Sequence, residues 1–132
     1  MKILIPFVAA LVFATSACAQ APANKTTDAI GVWRGTSLCL VRPSACHDEV
    51  VVYRIAQIAG SDSLAFDARK IVNGQEEEMG VLHCTVDAAG AALACPMRNG
   101  MWRFWVRGDS LVGDLRRPDN TKFRDVRTAR SH

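Results

Sequence analysis

The chain has 132 residues, a formal net charge of +3, 49% hydrophobic and 22% charged side chains, with no internal repeat or low-complexity block. That length supports one domain with one core. So modest a charge gives no expectation of a nucleic-acid partner, and beyond the first twenty residues no stretch approaches the roughly twenty apolar residues of a membrane-spanning helix.

Lys2 precedes an apolar run from Ile3 to Ala14, and Ala17 and Ala19 occupy the small-residue positions of an A-x-A cleavage site. Residues 1–19 therefore read as a secretory signal, and the mature protein as exported, periplasmic or secreted, with no transmembrane segment. Thr15-Ser16-Ala17-Cys18 also resembles a lipoprotein signal, so lipid anchoring through Cys18 is a second processing route. Residues 20–29, opening with QAPANKTT, read as a polar tether, and 30–132 as the domain.

Either route leaves Cys39, Cys46, Cys84 and Cys95 in a mature chain of about 113 residues. In an oxidising compartment four cysteines suggest two disulfides, for which three connectivities exist. The segment predictions favour one of them.

From residue 30 onward turn signals recur at short intervals. They are Ala59-Gly60-Ser61-Asp62, Asn73-Gly74, Ala88-Ala89-Gly90, Asn99-Gly100, Gly108-Asp109 and Pro118-Asp119-Asn120. Asn-Gly suits a tight hairpin because both central residues of a type I′ turn need positive φ. The intervening segments predict eight strands over 30–40, 48–58, 63–72, 77–87, 91–98, 101–107, 110–116 and 121–128, rich in β-branched and aromatic residues. The second is apolar on both faces. In the third, Leu64, Phe66 and Ala68 alternate with other residues. The fifth is Ala-rich, but Gly90 and its β-branched flanks argue for a turn rather than a helix. The sixth alternates most clearly: Trp102, Phe104 and Val106 take one face, Met101, Arg103, Trp105 and Arg107 the other. Leu111, Gly113 and Leu115 repeat the period.

Short connections force sequential neighbours to pair antiparallel, and eight such strands hide two edges by closing the first against the last. The expected fold is all-β, an eight-stranded antiparallel up-and-down meander closed into a small barrel. Centring the fourth hairpin on Ala89-Gly90 sets Val86 against Leu93, Thr85 against Ala94, and Cys84 against Cys95. Opposed residues at a non-hydrogen-bonded pair have Cα atoms about 4.5 Å apart, within reach of a disulfide. Cys39 and Cys46 flank the loop LVRPSA between the first two strands, so the favoured bridges, Cys39–Cys46 and Cys84–Cys95, are both local.

His47, Asp48 and Glu49 follow Cys46. They read as the rim of a cross-linked hairpin; the sharper alternative, a metal or ligand clamp with His83, lacks any H-x-x-x-H or H-E-x-x-H spacing. No metal and no cofactor are expected. Ser37, His47 and Asp48 are the right types for a nucleophilic triad, but no nucleophile elbow or phosphate-cradling glycine loop accompanies them, and no enzyme activity is expected. Glu76-Glu77-Glu78 reads as a solubilising edge.

Gly31-Val32-Trp33, followed by Gly35-Thr36-Ser37, opens the first strand. A G-x-W at the start of an eight-strand meander resembles the lipocalin and calycin group of ligand-carrying barrels. The resemblance implies that Trp33 packs across a closed barrel end with a basic residue of the last strand, Arg124 or Arg127, against it. The longer strings GVWRGTSLC and CHDEVVVYRI are also similar to small exported bacterial proteins of no established activity, which implies a fold and no chemistry.

Eight strands enclose an interior that side chains fill or that holds one small ligand. Trp33, Tyr53, Phe66, Trp102 and Phe104 are the candidate ligand-binding residues, with Phe123 beside them. Gly35, Ala68, Ala92, Ala94 and Gly113 are small enough to leave room. The expected function is binding of a small apolar or amphipathic molecule. The alternative rests on charge: residues 20–97 carry six basic and nine acidic side chains, residues 98–132 nine and four. Arg103, Arg107, Arg116, Arg117, Lys122, Arg124, Arg127 and Arg130 form a candidate basic outer stripe, suited to anionic envelope polymers, lipid head groups or an acidic envelope protein partner that the chain would serve as inhibitor or accessory factor. Arg107-Gly108-Asp109-Ser110 reads as a turn.

Overall fold

A computed structural model describes residues 26–87 and 92–132. Residues 1–19 with Cys18, most of the tether and the hairpin tip Ala88–Ala91 lie outside the described residues. A 3₁₀ turn at Thr26–Ala29 leads into β1 (Gly31–Cys39), β2 (Glu49–Gln57), β3 (Leu64–Val72), β4 (Gln75–Val86), β5 (Leu93–Met97), β6 (Gly100–Arg107), β7 (Ser110–Arg116) and β8 (Lys122–Arg130). Each strand pairs antiparallel with the next, and β1 pairs with β8 from Trp33↔Arg130 to Cys39↔Arg124, closing the barrel. Every expected strand is present, with ends shifted by a few residues. The four residues Thr26–Ala29, expected to end the polar tether, instead form the turn, and Ala29 is buried.

The inward row of each strand carries the core. Trp33, Val51, Tyr53, Ile55, Leu64, Phe66, Ala68, Leu93, Phe104, Leu111 and Val126 are buried together, as a two-residue period facing a filled interior requires. At the centre Phe66 and Phe104 lie 4.9 Å apart by ring centroid, with Tyr53 5.6 Å from Phe104. These offset rings plug the barrel midway along its axis.

Two of the small residues make room for neighbouring protein groups, which corrects the expectation that they leave space for a ligand. A Cβ on Gly113 would strike the Phe104 ring and lie 2.7 Å from the Arg103 carbonyl oxygen, and one on Gly35 would strike the Arg127 carbonyl and lie 2.7 Å from the Thr128 Cα. Asn73-Gly74 forms the expected turn, with φ of 50° and 77°. Asn99-Gly100 does not: Met97 pairs with Gly100, so the two-residue loop is Arg98-Asn99. Gly100 is demanded by β7 instead, since a Cβ there would sit 2.6 Å from the Arg116 carbonyl oxygen.

Both local disulfides form, Cys39–Cys46 with Cα atoms 5.9 Å apart and Cys84–Cys95 with Cα atoms 4.2 Å apart. The β4–β5 ladder shows why the second is placed where it is. It contains Thr85↔Ala94 and Val86↔Leu93 and does not continue past Thr85↔Ala94 toward Pro96. Asp87 N–H donates to the Ala92 carbonyl, so alternation makes His83 and Pro96 the next hydrogen-bonding pair after Thr85 and Ala94. Pro96 has no N–H to give. The strands part there, and Cys84–Cys95 joins them at the last opposed position.

Candidate functional site

The two barrel ends differ. At the end where β1 begins, fully buried Trp33 lies across the interior, and its Nε1–H donates to the Ala29 carbonyl at 2.8 Å. The Arg130 guanidinium stacks on the indole 4.2 Å from the ring centroid, while its Nη1 and Nη2 donate to the carbonyls of Ile30 and Asp28 at 3.0 and 2.8 Å. The basic residue against Trp33 is therefore Arg130, not Arg124 or Arg127. Register explains the correction: Arg130 is opposite Trp33, whereas Arg124 is opposite Cys39 at the other end of β1. Arg127 lies on the outward row, with 77% of its side chain exposed.

The opposite end is open. Above the aromatic plug lies a cup of about 450 Å³ whose walls include Tyr53, Leu82, Trp102 and Leu115. Trp102 stacks on Phe104 with centroids 5.6 Å apart and planes 12° from parallel, so it extends the plug toward the mouth. One wall is polar. Arg124, inward on β8, donates from Nη1 to the Ser37 hydroxyl at 3.2 Å and to the His47 carbonyl at 3.0 Å. Glu49, inward at the start of β2, lies between Arg124 at 3.8 Å and Lys70 at 3.7 Å. These half-screened pairs contribute little stability by themselves, but they hold charge inside the mouth.

Tyr53 connects the plug to this wall. Only 2% of it is exposed, and its hydroxyl has no hydrogen-bond partner among the described residues. Burial pushes its pKa well above the usual phenol range; Arg124 pulls it down and Glu49 pushes it up. The hydroxyl thus stays protonated, a donor beside a guanidinium at the cup wall.

Of the five candidate ligand-binding residues, Tyr53 and Trp102 line the cup, and Phe66 and Phe104 lie beneath them as buried plug. Trp33 belongs to the closed end and not to the cup, because β1 runs from the closed end to the mouth. Phe123 reaches the rim, where Arg117 stacks on its ring at 4.7 Å. Sequence reasoning did not place Ser37, Glu49, Leu82, Leu115 and Arg124 in the cup, although it weighed Ser37, Glu49 and Arg124 for other roles. The signal was present: Ser37 continues the inward row of Trp33 and Gly35, and Glu49 that of Tyr53 and Val51, so polar residues on a core-facing row mark a strand end that is not sealed.

The Cys39–Cys46 loop rims this mouth. Asp48 accepts the Cys39 N–H and an Arg42 guanidinium N–H, both at 2.8 Å, and so braces the loop. His47 is exposed and contributes its carbonyl, while His83 sits on the outside of β4, opposite Ala65 near the closed end. Among the described residues no group of three metal-ligating side chains assembles. The basic stripe is divided, with Arg103, Arg116 and Arg117 together on the outer face. Arg124 and Arg130 turn inward, and Arg116, Lys122 and Arg127 pair with Asp114 or Asp125.

Two disulfides suggest an oxidising environment, and no helix among the described residues is long and apolar enough to cross a membrane. In comparisons with known proteins, no protein-family model, no curated protein and no solved structure matches this chain.

Proposed function

We propose that this protein is an exported, periplasmic or secreted carrier that binds a small amphipathic molecule in the open cup, without catalysing a reaction on it. The observation that supports this reading best is the division of the cup into an apolar floor of Trp102, Leu82 and Leu115 and a polar wall of Arg124, Ser37, Glu49 and the free Tyr53 hydroxyl. An apolar body lying on Trp102 with its polar end toward Tyr53 and Arg124 would satisfy both surfaces. The volume of about 450 Å³ lies within the usual range of small-molecule sites, about 300–1,000 Å³. A lipocalin-like ancestry is part of the proposal, supported by the placement of Gly31-Val32-Trp33 across the closed end beneath Arg130.

The test combines two measurements. Native mass spectrometry of protein purified gently from its own envelope is expected to reveal a co-purifying small mass. Anilinonaphthalene sulfonate, used as an amphipathic fluorescent probe, is expected to bind the parent protein and to lose about tenfold or more in affinity in Trp102→Ala, where stacking area is removed from the floor. A bare polypeptide whose probe affinity is unchanged by Trp102→Ala would remove the cup from consideration.

A further inference from the structure

A second concavity, on the outer face of the barrel, is unlike the cup. The β5–β6 turn and the β7–β8 loop bound a pocket of about 370 Å³ lined by Arg98, Arg103, Arg116 and Arg117, with Met101 and Asn120 between them and no carboxylate in its walls. Register brings the arginines together. Arg103 points outward on β6 beside Asp114 of β7, Met101 is opposite Arg116, and Arg98 and Arg117 stand in the adjoining loops.

Two of these guanidiniums are fixed by their surroundings. Arg116 ion-pairs with Asp114 at 3.4 Å and donates to the Asn120 carbonyl at 3.2 Å, and Arg117 is held over the Phe123 ring. Arg98 and Arg103 have no hydrogen-bond or ion-pair partner among the described residues. Of the nearby carboxylates, Asp114 lies opposite Arg103 and holds Arg116 and Lys122 through Oδ2, while its buried Oδ1 has no hydrogen-bond partner among the described residues; Asp119 accepts the Thr121 N–H at 2.9 Å. Asp114 offsets one of the four positive charges around the concavity; the remaining ones repel one another, and a multiply charged anion relieves that repulsion. The guanidinium fork matches phosphate oxygens two at a time.

We infer that this pocket binds a phosphate group, carried either by a small soluble phosphomonoester or by the headgroup of an envelope phospholipid. The site is distinct from the cup and does not depend on the cup holding a ligand.

Titration with inorganic phosphate and with glycerol 3-phosphate, against chloride at matched ionic strength, tests it through the amide resonances of Arg98, Gly100 and Asn120. The expected result is saturable shifts with both phosphates and an affinity lowered about tenfold or more in Arg98→Gln/Arg103→Gln, which removes two charge-assisted contacts. The double variant should melt as the parent does, because neither side chain has a protein partner to lose; if it melts earlier, the single Arg98→Gln variant on the exposed turn repeats the reading. Flotation with phosphatidylglycerol vesicles, against phosphatidylcholine vesicles, separates the sources. Flotation displaced by soluble phosphate assigns a lipid headgroup, and soluble binding without flotation assigns a free phosphomonoester. Equal shifts with chloride, or phosphate affinity unchanged by the substitutions, would overturn the inference.

Discussion

Tyr53 is the only tyrosine in the chain, so its ionisation can be followed alone. Burial raises its pKa above the ordinary value of 10.0. The unfolded chain therefore releases the phenol proton before the native protein does, and the linkage has one sign: the stability associated with Tyr53 is fully present below about pH 10 and is lost as pH rises beyond it. Two outcomes follow. Tyrosinate absorbance near 295 nm should rise together with alkaline unfolding and not as an independent step near pH 10. In Tyr53→Phe the loss of stability between about pH 10 and pH 12 should be smaller than in the parent, measured by urea unfolding across that range. A reversible tyrosinate step at pH 10 in protein still folded by circular dichroism would show that the phenol is open to water. The residue scale is also where sequence and structure diverge most. That Tyr53 is apolar enough to face inward was legible from alternation. That its hydroxyl stays unpaired beside Arg124 was not, since it depends on how far along β8 the arginine sits when the barrel closes.

Among the elements, β5 is the shortest strand and the weakest seam. Its ladder with β4 holds two registered pairs, against seven for β1–β8, because Pro96 interrupts it. Cys84–Cys95 sits where hydrogen bonding stops and replaces it with a covalent tie. Removing that tie as Cys84→Ala/Cys95→Ala should cost about 3 kcal/mol by loop-closure entropy, and more if the buried sulfurs leave a cavity. Urea unfolding under oxidising conditions measures it. Hydrogen exchange should then show β5 amides opening well before those of β1 and β8, which would locate the loss at this seam. The pairing of these two cysteines was readable in the sequence because a hairpin centre and a two-residue period determine which positions oppose. The break at Pro96 was readable too, since a proline ends a ladder only at positions that owe a hydrogen bond, and the parity of Cys84 and Cys95 implies that Pro96 is one. The Asn99-Gly100 turn misled for a related reason: Gly100 is required by the close approach of β7, and a dipeptide motif says nothing about a third strand.

For the whole molecule the lasting asymmetry is between a sealed end and an open one. Eight short-looped strands made closure legible from sequence, but which end closes depends on a contact between segments a hundred residues apart in the chain: Arg130 donates to the Ile30 carbonyl and, with Trp33 beneath it, to the Asp28 carbonyl as well. This joins the first strand, the last strand and the 3₁₀ turn into one unit, so its parts should not behave independently. Arg130→Ala should destabilise by about 2–3 kcal/mol through lost hydrogen bonds and ring stacking, lowering the melting temperature by roughly 10 °C or more for a domain of this size. Deleting the chain up to Ala29 should cost a similar amount, since the Trp33 Nε1–H loses its acceptor and Arg130 loses one of its two carbonyls. Combined, the two changes should cost clearly less than their sum, by about 1 kcal/mol or more, because both remove the same contacts. Strict additivity in that double-mutant cycle would mean that Trp33 is held by the strands alone, and that the turn before β1 rests on the barrel without sealing it.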